Sequence, residues 1–219
     1  QERDALFARG STPPTASTLA RSSPSLGESI GAYSITGDLG RGGMGIVYRG
    51  KHRTTAIAKR QGGEVAVKLL HAQYAQDTGF RDRFEREASM GLKLDHPGIV
   101  KVYDLVIDGG NLALVMDLAE GRPLSEVIGK ETGPIPWERA WPMFKQMLDA
   151  VAYAHKHNVV HRDIKPENVI VSSSGQLKIL DFGIAKDMEG GKTKTGTGMG
   201  TVDYMAPERF SAGGGGPHS

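Results

Sequence analysis

Three groups of polar residues in this chain have the types and spacing to handle phosphate. The first is Leu39-Gly-Arg-Gly-Gly-Met-Gly-Ile-Val47, where Gly40, Gly42 and Gly45 stand in G-x-G-x-x-G spacing. Glycines let a backbone come close to phosphate oxygens and turn its N–H groups toward the charge. A dinucleotide-binding loop of this spacing would open straight into a helix, whereas here the strand-like Ile46-Val-Tyr48 follows. Taken alone, the loop also reads as a glycine-rich hairpin. The second group is Lys68, closing the apolar run Val65-Ala-Val-Lys68, and Glu87, 19 residues later. A lysine on an apolar strand must reach a partner or run out to solvent. Glu87 shares a helical face with Phe84 and Ala88, a poor place for an unpaired carboxylate. A Lys68–Glu87 pair would satisfy both. The third group is His161-Arg-Asp-Ile-Lys-Pro-Glu-Asn168, followed by Asp181-Phe-Gly183 and then Ala206-Pro-Glu208. In isolation, Asp163, Asn168 and Asp181 would pass for ordinary turn residues.

The elements that must carry these groups are legible in the pattern. The 219 residues are 38% hydrophobic and 24% charged, ordinary for a globular chain with a buried core. Lys+Arg 27 against Asp+Glu 25 leaves a net charge of +2, too balanced for bulk nucleic-acid binding or a membrane-surface patch. Zero cysteines exclude disulfides, zinc-thiolate sites and a cysteine nucleophile. The longest uncharged apolar run, Leu112 to Met116, falls far short of a membrane span. Ser, Thr, Pro and Gly make up 15 of the first 31 residues, so residues 1–31 read as a disordered leader. Residues 211–219, with four consecutive glycines, read as a flexible tail. Strands are expected within residues 33–71, broken by an exposed hairpin loop at 52–63, and at 99–107, 112–118, 169–171 and 177–180. Helices are expected over 77–94, with Phe80, Phe84, Ala88 and Leu92 on one face, and over 137–157. In the second helix Trp141, Phe144, Leu148, Val151 and Ala154 or His155 are expected to face inward, with Pro142 kinking it or marking its start.

Taken together and in order, the glycine loop, Val-Ala-Val-Lys, the helix glutamate, H-R-D-x-x-x-x-N, D-F-G and A-P-E resemble a eukaryotic-type protein kinase, in particular its bacterial serine/threonine branch. The resemblance runs from about Tyr33 to Phe210. It implies an α+β, two-lobed fold, with a complete antiparallel-sheet small lobe at 32–118 and an incomplete helical large lobe at 119–210. The chain ends soon after Glu208, before the helices that normally follow, so the resemblance implies a piece of a longer kinase. Such a piece is expected to be unstable and poorly active alone. The implied cofactors are ATP and Mg2+. Asp163 would take or orient the substrate hydroxyl proton, Lys165 would neutralise the transferring phosphate, and Asn168 and Asp181 would supply oxygens to magnesium, a hard ion. Lys68 would hold the α- and β-phosphates, fixed by Glu87. Met116 matches the gatekeeper, and Asp117 to Ala119 match the hinge whose backbone pairs with adenine. Leu39 and Val47, with Ala66 and Ile170, would enclose the nucleotide. His161 is implied to stack beneath Phe182, in line with Val102 and with Gly91, where glycine leaves a gap.

The implied partner is a protein carrying serine or threonine, because Lys165-Pro-Glu167 and Gly200-Thr201 match that class. No nucleic acid and no membrane segment are expected, and a second copy of the chain is expected as partner for phosphorylation in trans. A cytoplasmic location is expected; by the same resemblance, bacterial relatives often continue to a membrane anchor. Two other readings use the same residues: a pseudokinase-like nucleotide-binding module, and a small-molecule phosphotransferase. Lys68, Asp163, Asn168 and Asp181 are all present, against the first. Lys165, Thr201 and Ala206-Pro-Glu208 favour a protein substrate, against the second. Between Asp181 and Glu208, Thr193 and Thr195 match positions that bacterial relatives autophosphorylate, with Arg162 and Lys186 as candidate phosphate partners. Incubation with Mg-ATP should therefore add one or two phosphates at Thr193 and Thr195, read by intact mass. Full activity in a Thr193→Ala/Thr195→Ala variant would count against a switch.

Overall fold

The protein is seen in a computed structural model that describes residues 24–130, 134–182 and Tyr204. Six strands form one antiparallel sheet: β1 (Ser29–Ile30), β2 (Tyr33–Gly42), β3 (Gly45–His52), β4 (Val65–Leu70), β5 (Val102–Asp108) and β6 (Asn111–Asp117). Their order across the sheet is β1-β2-β3-β4-β6-β5. Between β3 and β4 lies α1 (Thr55–Arg60). Between β4 and β5 lie α2 (Ala72–Gln76) and α3 (Thr78–Gly91). After the sheet come β7 (Arg122–Pro123), α4 (Leu124–Lys130), α5 (Trp137–Lys156), a 3-10 turn at Pro166–Asn168, β8 (Val169–Val171) and β9 (Leu177–Ile179). The last three strands form a small sheet in the order β7-β8-β9.

Strand alternation decides which side chains meet which layer. Along β4, Val65 and Val67 point into a cluster with Tyr33, Ile35, Tyr48 and Val115 on one face. Ala66 and Leu70 point into a second cluster, with Leu112, Leu114 and Met116, on the other. Lys68, two residues from each, shares the second face by the period of two. That face is roofed by α3, whose Phe80, Phe84 and Ala88 are buried against it. Burying each phenylalanine is worth about 1.5–3 kcal/mol, enough to hold the helix on the sheet. Asp77 starts α3 by accepting the Phe80 N–H at 2.8 Å. A third cluster, including Leu94, Ile99, Met143, Ala150, Ala154, Leu177, Ile179 and Phe182, forms the core under the small sheet.

Four local expectations need correction. Residues 24–31 belong to the folded part, not to a disordered leader: Gly27 and Ile35 exchange backbone bonds with their surroundings, and Ile30 on β1 is buried. One well-placed isoleucine outweighs the polar composition around it. Residues 1–23 and 205–219, which include the expected tail, lie outside the described residues. The expected hairpin loop at 52–63 contains α1 instead, because Ala56-Ile-Ala58 are helix-compatible and Ala58 buries completely. The helix ends as a Schellman motif, with Gly63 N–H donating to Ala58 O and Gly62 N–H to Lys59 O. Leu92 leaves the α3 stripe and is exposed, because the helix stops at Gly91. On α5 the residues facing the described core are Met143, Ala150 and Ala154. Trp141, Phe144 and Leu148 are about half exposed, on a second apolar stripe that begins at Trp137. Pro142 sits inside α5 without ending it.

The first of these corrections is testable. Ile30→Ala should lower stability by about 2–4 kcal/mol, read from denaturant unfolding, as for other large-to-small core changes. No loss would return residues 24–31 to the leader.

Candidate active site

Lys68, Asp181 and the loop from His161 to Asn168 come together where the two sheets meet, while Gly183 and Ala206 to Glu208 lie outside the described residues. Ile179 N–H donates to Gly98 O, and Val100 N–H to Ile179 O, both at 2.9 Å, so the end of β9 is tied to the segment entering β5. That tie brings Leu180, Asp181 and Phe182 beneath the first sheet. Lys68 Nζ donates to Asp181 Oδ2 at 2.6 Å, across 113 residues of sequence. Asp181 has a left-handed backbone, φ 54°, which an aspartate tolerates better than most residues.

Below this pair lies the loop from His161 to Asn168. Asn168 Nδ2 donates to Asp163 O at 2.8 Å and to Asp163 Oδ2 at 3.2 Å. Lys165 Nζ stands 3.3 Å from the same carboxylate oxygen. Asp163, Lys165 and Asn168 thus form one interlocked unit. His161 is buried at its base. Its Nε2–H donates to Leu180 O at 2.7 Å, and its Nδ1 accepts the Asp163 N–H at 3.1 Å. That pattern requires the neutral ring, and burial lowers its pKa accordingly, partly offset by the Leu180 hydrogen bond. The ring meets Phe182 edge-on, centroids 4.7 Å apart, the stacking expected of this pair. A narrow gap runs past Gly91, Leu94, Val102 and Phe182.

Of the residues expected around the nucleotide, Ala66 and Met116 are buried on adjacent strands, directly paired in register. Val47 pairs with Lys68 across β3 and β4. Ile170 lies on β8, and Leu39 is exposed within β2, where the register slips between Asp38 and Gly40. The three loop glycines differ. A Cβ on Gly40 or Gly42 would meet open space, whereas one on Gly45 would sit 2.1 Å from Leu69 O. Gly45 is therefore required by strand packing, whatever the loop binds. Asp117 ends β6, and Ala119 follows it as the chain passes toward the small sheet. The Asp117 carboxylate accepts from Tyr103 OH and, at 2.6 Å, from Lys178 Nζ. Neither partner stood out in the sequence, although Lys178 between buried Leu177 and Ile179 marks an outward-facing position.

The Lys68–Glu87 pair does not form. Lys68 is taken by Asp181, and the contact of Glu87 is with Arg162, whose Nη1 lies 4.0 Å from Oε1. The Glu87 side chain is buried, and its Oε2 has no hydrogen-bond partner. Burial pushes its pKa up, and Arg162, Arg83 and Arg86 pull it partly back. Thr193 and Thr195 lie outside the described residues.

Comparison with known proteins agrees with this geometry. Residues 33–219 match the protein kinase domain family. The serine/threonine-protein kinase PknD of Mycobacterium tuberculosis is 39% identical over 193 residues, covering 86% of this chain and 27% of that protein. PknA of the same organism is 39% identical over 194 residues, covering 85% and 43%. The crystal structure of the Mycobacterium tuberculosis PknI kinase domain superimposes with a TM-score of 0.66 at 30% identity, over 74% of this chain and 64% of that one. The chain belongs to the protein kinase domain family, and its relatives are the bacterial serine/threonine kinases of Hanks type. It spans less than half the length of these two curated relatives.

Glu87 offers a pH test. Its raised pKa means that the protonated form is the stabilising one. That contribution is complete below the ordinary value of 4.5 and is lost as pH rises through the folded value. Glu87→Gln should therefore match the wild type in thermal midpoint near pH 4 and exceed it increasingly toward pH 8. A pH-independent difference would contradict the buried, poorly compensated carboxylate.

Proposed function

We propose that this protein transfers the γ-phosphate of ATP to a serine or threonine hydroxyl of a protein substrate. The observation that carries the reading is the interlocked Asp163–Lys165–Asn168 unit lying below a Lys68–Asp181 pair that joins the two sheets. The hydroxyl oxygen attacks the γ-phosphorus in line, the bond to the β,γ-bridging oxygen breaks, and ADP leaves. Asp163 accepts the hydroxyl proton, its carboxylate oriented by Asn168 and its charge balanced by Lys165. Lys165 also faces the charge on the transferring group.

The donor set suits magnesium. Asn168 donates through its nitrogen, which turns its amide oxygen outward, and Lys68 engages one Asp181 oxygen, which leaves the other for a hard cation. Magnesium, when bound, supplies charge neutralisation across the β- and γ-phosphate oxygens. Lys68 then exchanges Asp181 for the α- and β-phosphates. Gly40, Gly42 and Gly45 form the hairpin above them, while Val47, Ala66, Met116 and Ile170 enclose adenine against the Asp117–Ala119 backbone. Glu87 moves from Arg162 to Lys68 in the same exchange. Thr193 and Thr195 are the proposed phosphorylation sites, reached in trans by a second copy, and the catalytic part works in the cytoplasm. Among the described residues no helix is long and apolar enough to cross a membrane.

In the full-length protein, Lys68→Met and Asp181→Asn should each lower phosphoryl transfer to a generic basic protein by about a hundredfold or more. Asp163→Asn should lower turnover comparably while leaving ATP affinity within about twofold, because it acts on the hydroxyl and not on the nucleotide. Normal turnover in Asp181→Asn would remove the assigned roles. Phosphorylation of small alcohols in preference to protein would favour the small-molecule phosphotransferase.

A further inference from the structure

Asp117 occupies a special place. It closes β6, opposite Val65 on β4, and its N–H donates to Lys101 O at 2.8 Å. Its side chain points to the sheet face opposite the α3 roof, the face carrying Ala113 and Val115. There its two carboxylate oxygens are claimed from opposite sides. Oδ1 accepts from Tyr103 OH, on β5 of the large sheet. Oδ2 accepts from Lys178 Nζ at 2.6 Å, on β9 of the small sheet.

Neither contact comes from regular strand geometry alone. The register of β5 against β6 slips between Val102 and Asp104, so Tyr103 is the extra residue of a β-bulge. Bulges re-aim side chains, and this one sends the Tyr103 hydroxyl to Asp117. On β9, Leu177 and Ile179 are buried in the lower core, so Lys178 must project from the opposite face. The group lies in a wider polar array, with Lys101 2.7 Å from Asp95. Burial, then the hydrogen bond to Asp117 and the charges of Asp117 and Asp95, push the Tyr103 pKa up, so its phenol remains a donor at any working pH.

We propose that Lys178 and Tyr103 are positioning residues for the adenine end of ATP. They grip one carboxylate from both sides of the chain crossing and so set the Asp117–Ala119 backbone against the base. They touch neither nucleotide nor substrate. The inference rests on the kinase reading above, in which that backbone is the hinge. Neither contact involves Asp163, Lys165 or Asn168, so their loss acts on nucleotide binding and leaves the chemical step alone. It also acts on adenosine-bearing ligands and spares bare polyphosphate, which the glycine hairpin and Lys68 hold without the hinge.

The test uses the full-length protein, with ATP kinetics and calorimetric titration of Mg-ATP and of Mg-tripolyphosphate. Lys178→Met should raise KM for ATP about five- to tenfold with kcat within about twofold, and Tyr103→Phe should raise it about two- to threefold. Lys178→Arg should restore the wild-type KM, because the guanidinium keeps the ion pair. Tripolyphosphate affinity should stay the same in all variants, which also reports that they are folded. An unchanged KM in both Lys178→Met and Tyr103→Phe would overturn the proposal. So would an equal loss of tripolyphosphate binding, which would mean a general structural role. A wild type that binds Mg-ATP while the variants show no effect sinks the clamp alone, whereas a wild type that binds no Mg-ATP sinks the kinase reading with it.

Discussion

The short parallel pairing of Ile179 with Gly98 and Val100 is the joint on which the site depends. Two backbone bonds tie the end of the small sheet to the chain entering the large one. Three side-chain arrangements follow from that tie. Asp181, two residues past Ile179, comes up beneath Lys68. Leu180 offers its carbonyl to His161. Lys178, one residue before, reaches Asp117. The Lys68–Asp181 pair is itself a poor source of stability. Its side chains keep 16% and 24% of their exposure, and partly solvated pairs contribute little net free energy. The backbone and the apolar cores hold the pair in place.

Polar groups near this joint divide into satisfied and unsatisfied ones. His161 is buried but fully matched, one ring nitrogen donating and the other accepting, so its neutral form is locked and it supports the loop from beneath. The Asp163 unit is likewise internally bonded. Glu87 is the exception, a buried carboxylate with one oxygen unmatched and a guanidinium only at 4.0 Å. A buried unmatched carboxylate is costly, so α3 gains free energy from any arrangement that brings a cation closer. Lys68 is the cation on the sheet face that α3 covers, and it is held by Asp181. In this structure Lys68 pairs with Asp181 and not with Glu87, and a narrow gap lies beside Gly91 at the end of α3.

The sequence by itself carried the motifs on which the proposed chemistry rests. Each motif is short, and what it needs is local: glycines that tolerate a tight hairpin, an aspartate five residues before an asparagine, a lysine on a strand of alternating burial. The loop that carries Asp163, Lys165 and Asn168 and every major strand were legible, whereas the His161–Phe182 contact was expected only from the resemblance to the kinase family. The α3 stripe through Phe80, Phe84 and Ala88 was legible too, since helical period alone fixes a face.

Only the tertiary structure decided which charges pair and which apolar face is inward. Lys68 could reach Glu87 or Asp181. The choice depends on the placement of α3 and β9 against β4, which no local pattern encodes. The α5 sequence carries two apolar stripes, and periodicity cannot say which one meets the core until the neighbouring strands are in place. Ile30 looked like a stray apolar residue in a polar leader, because the cavity that receives it is built from strands far along the chain. Tyr103 needed a bulge in β5 to reach Asp117, and a bulge is a mismatch between two strands, visible only when both are paired.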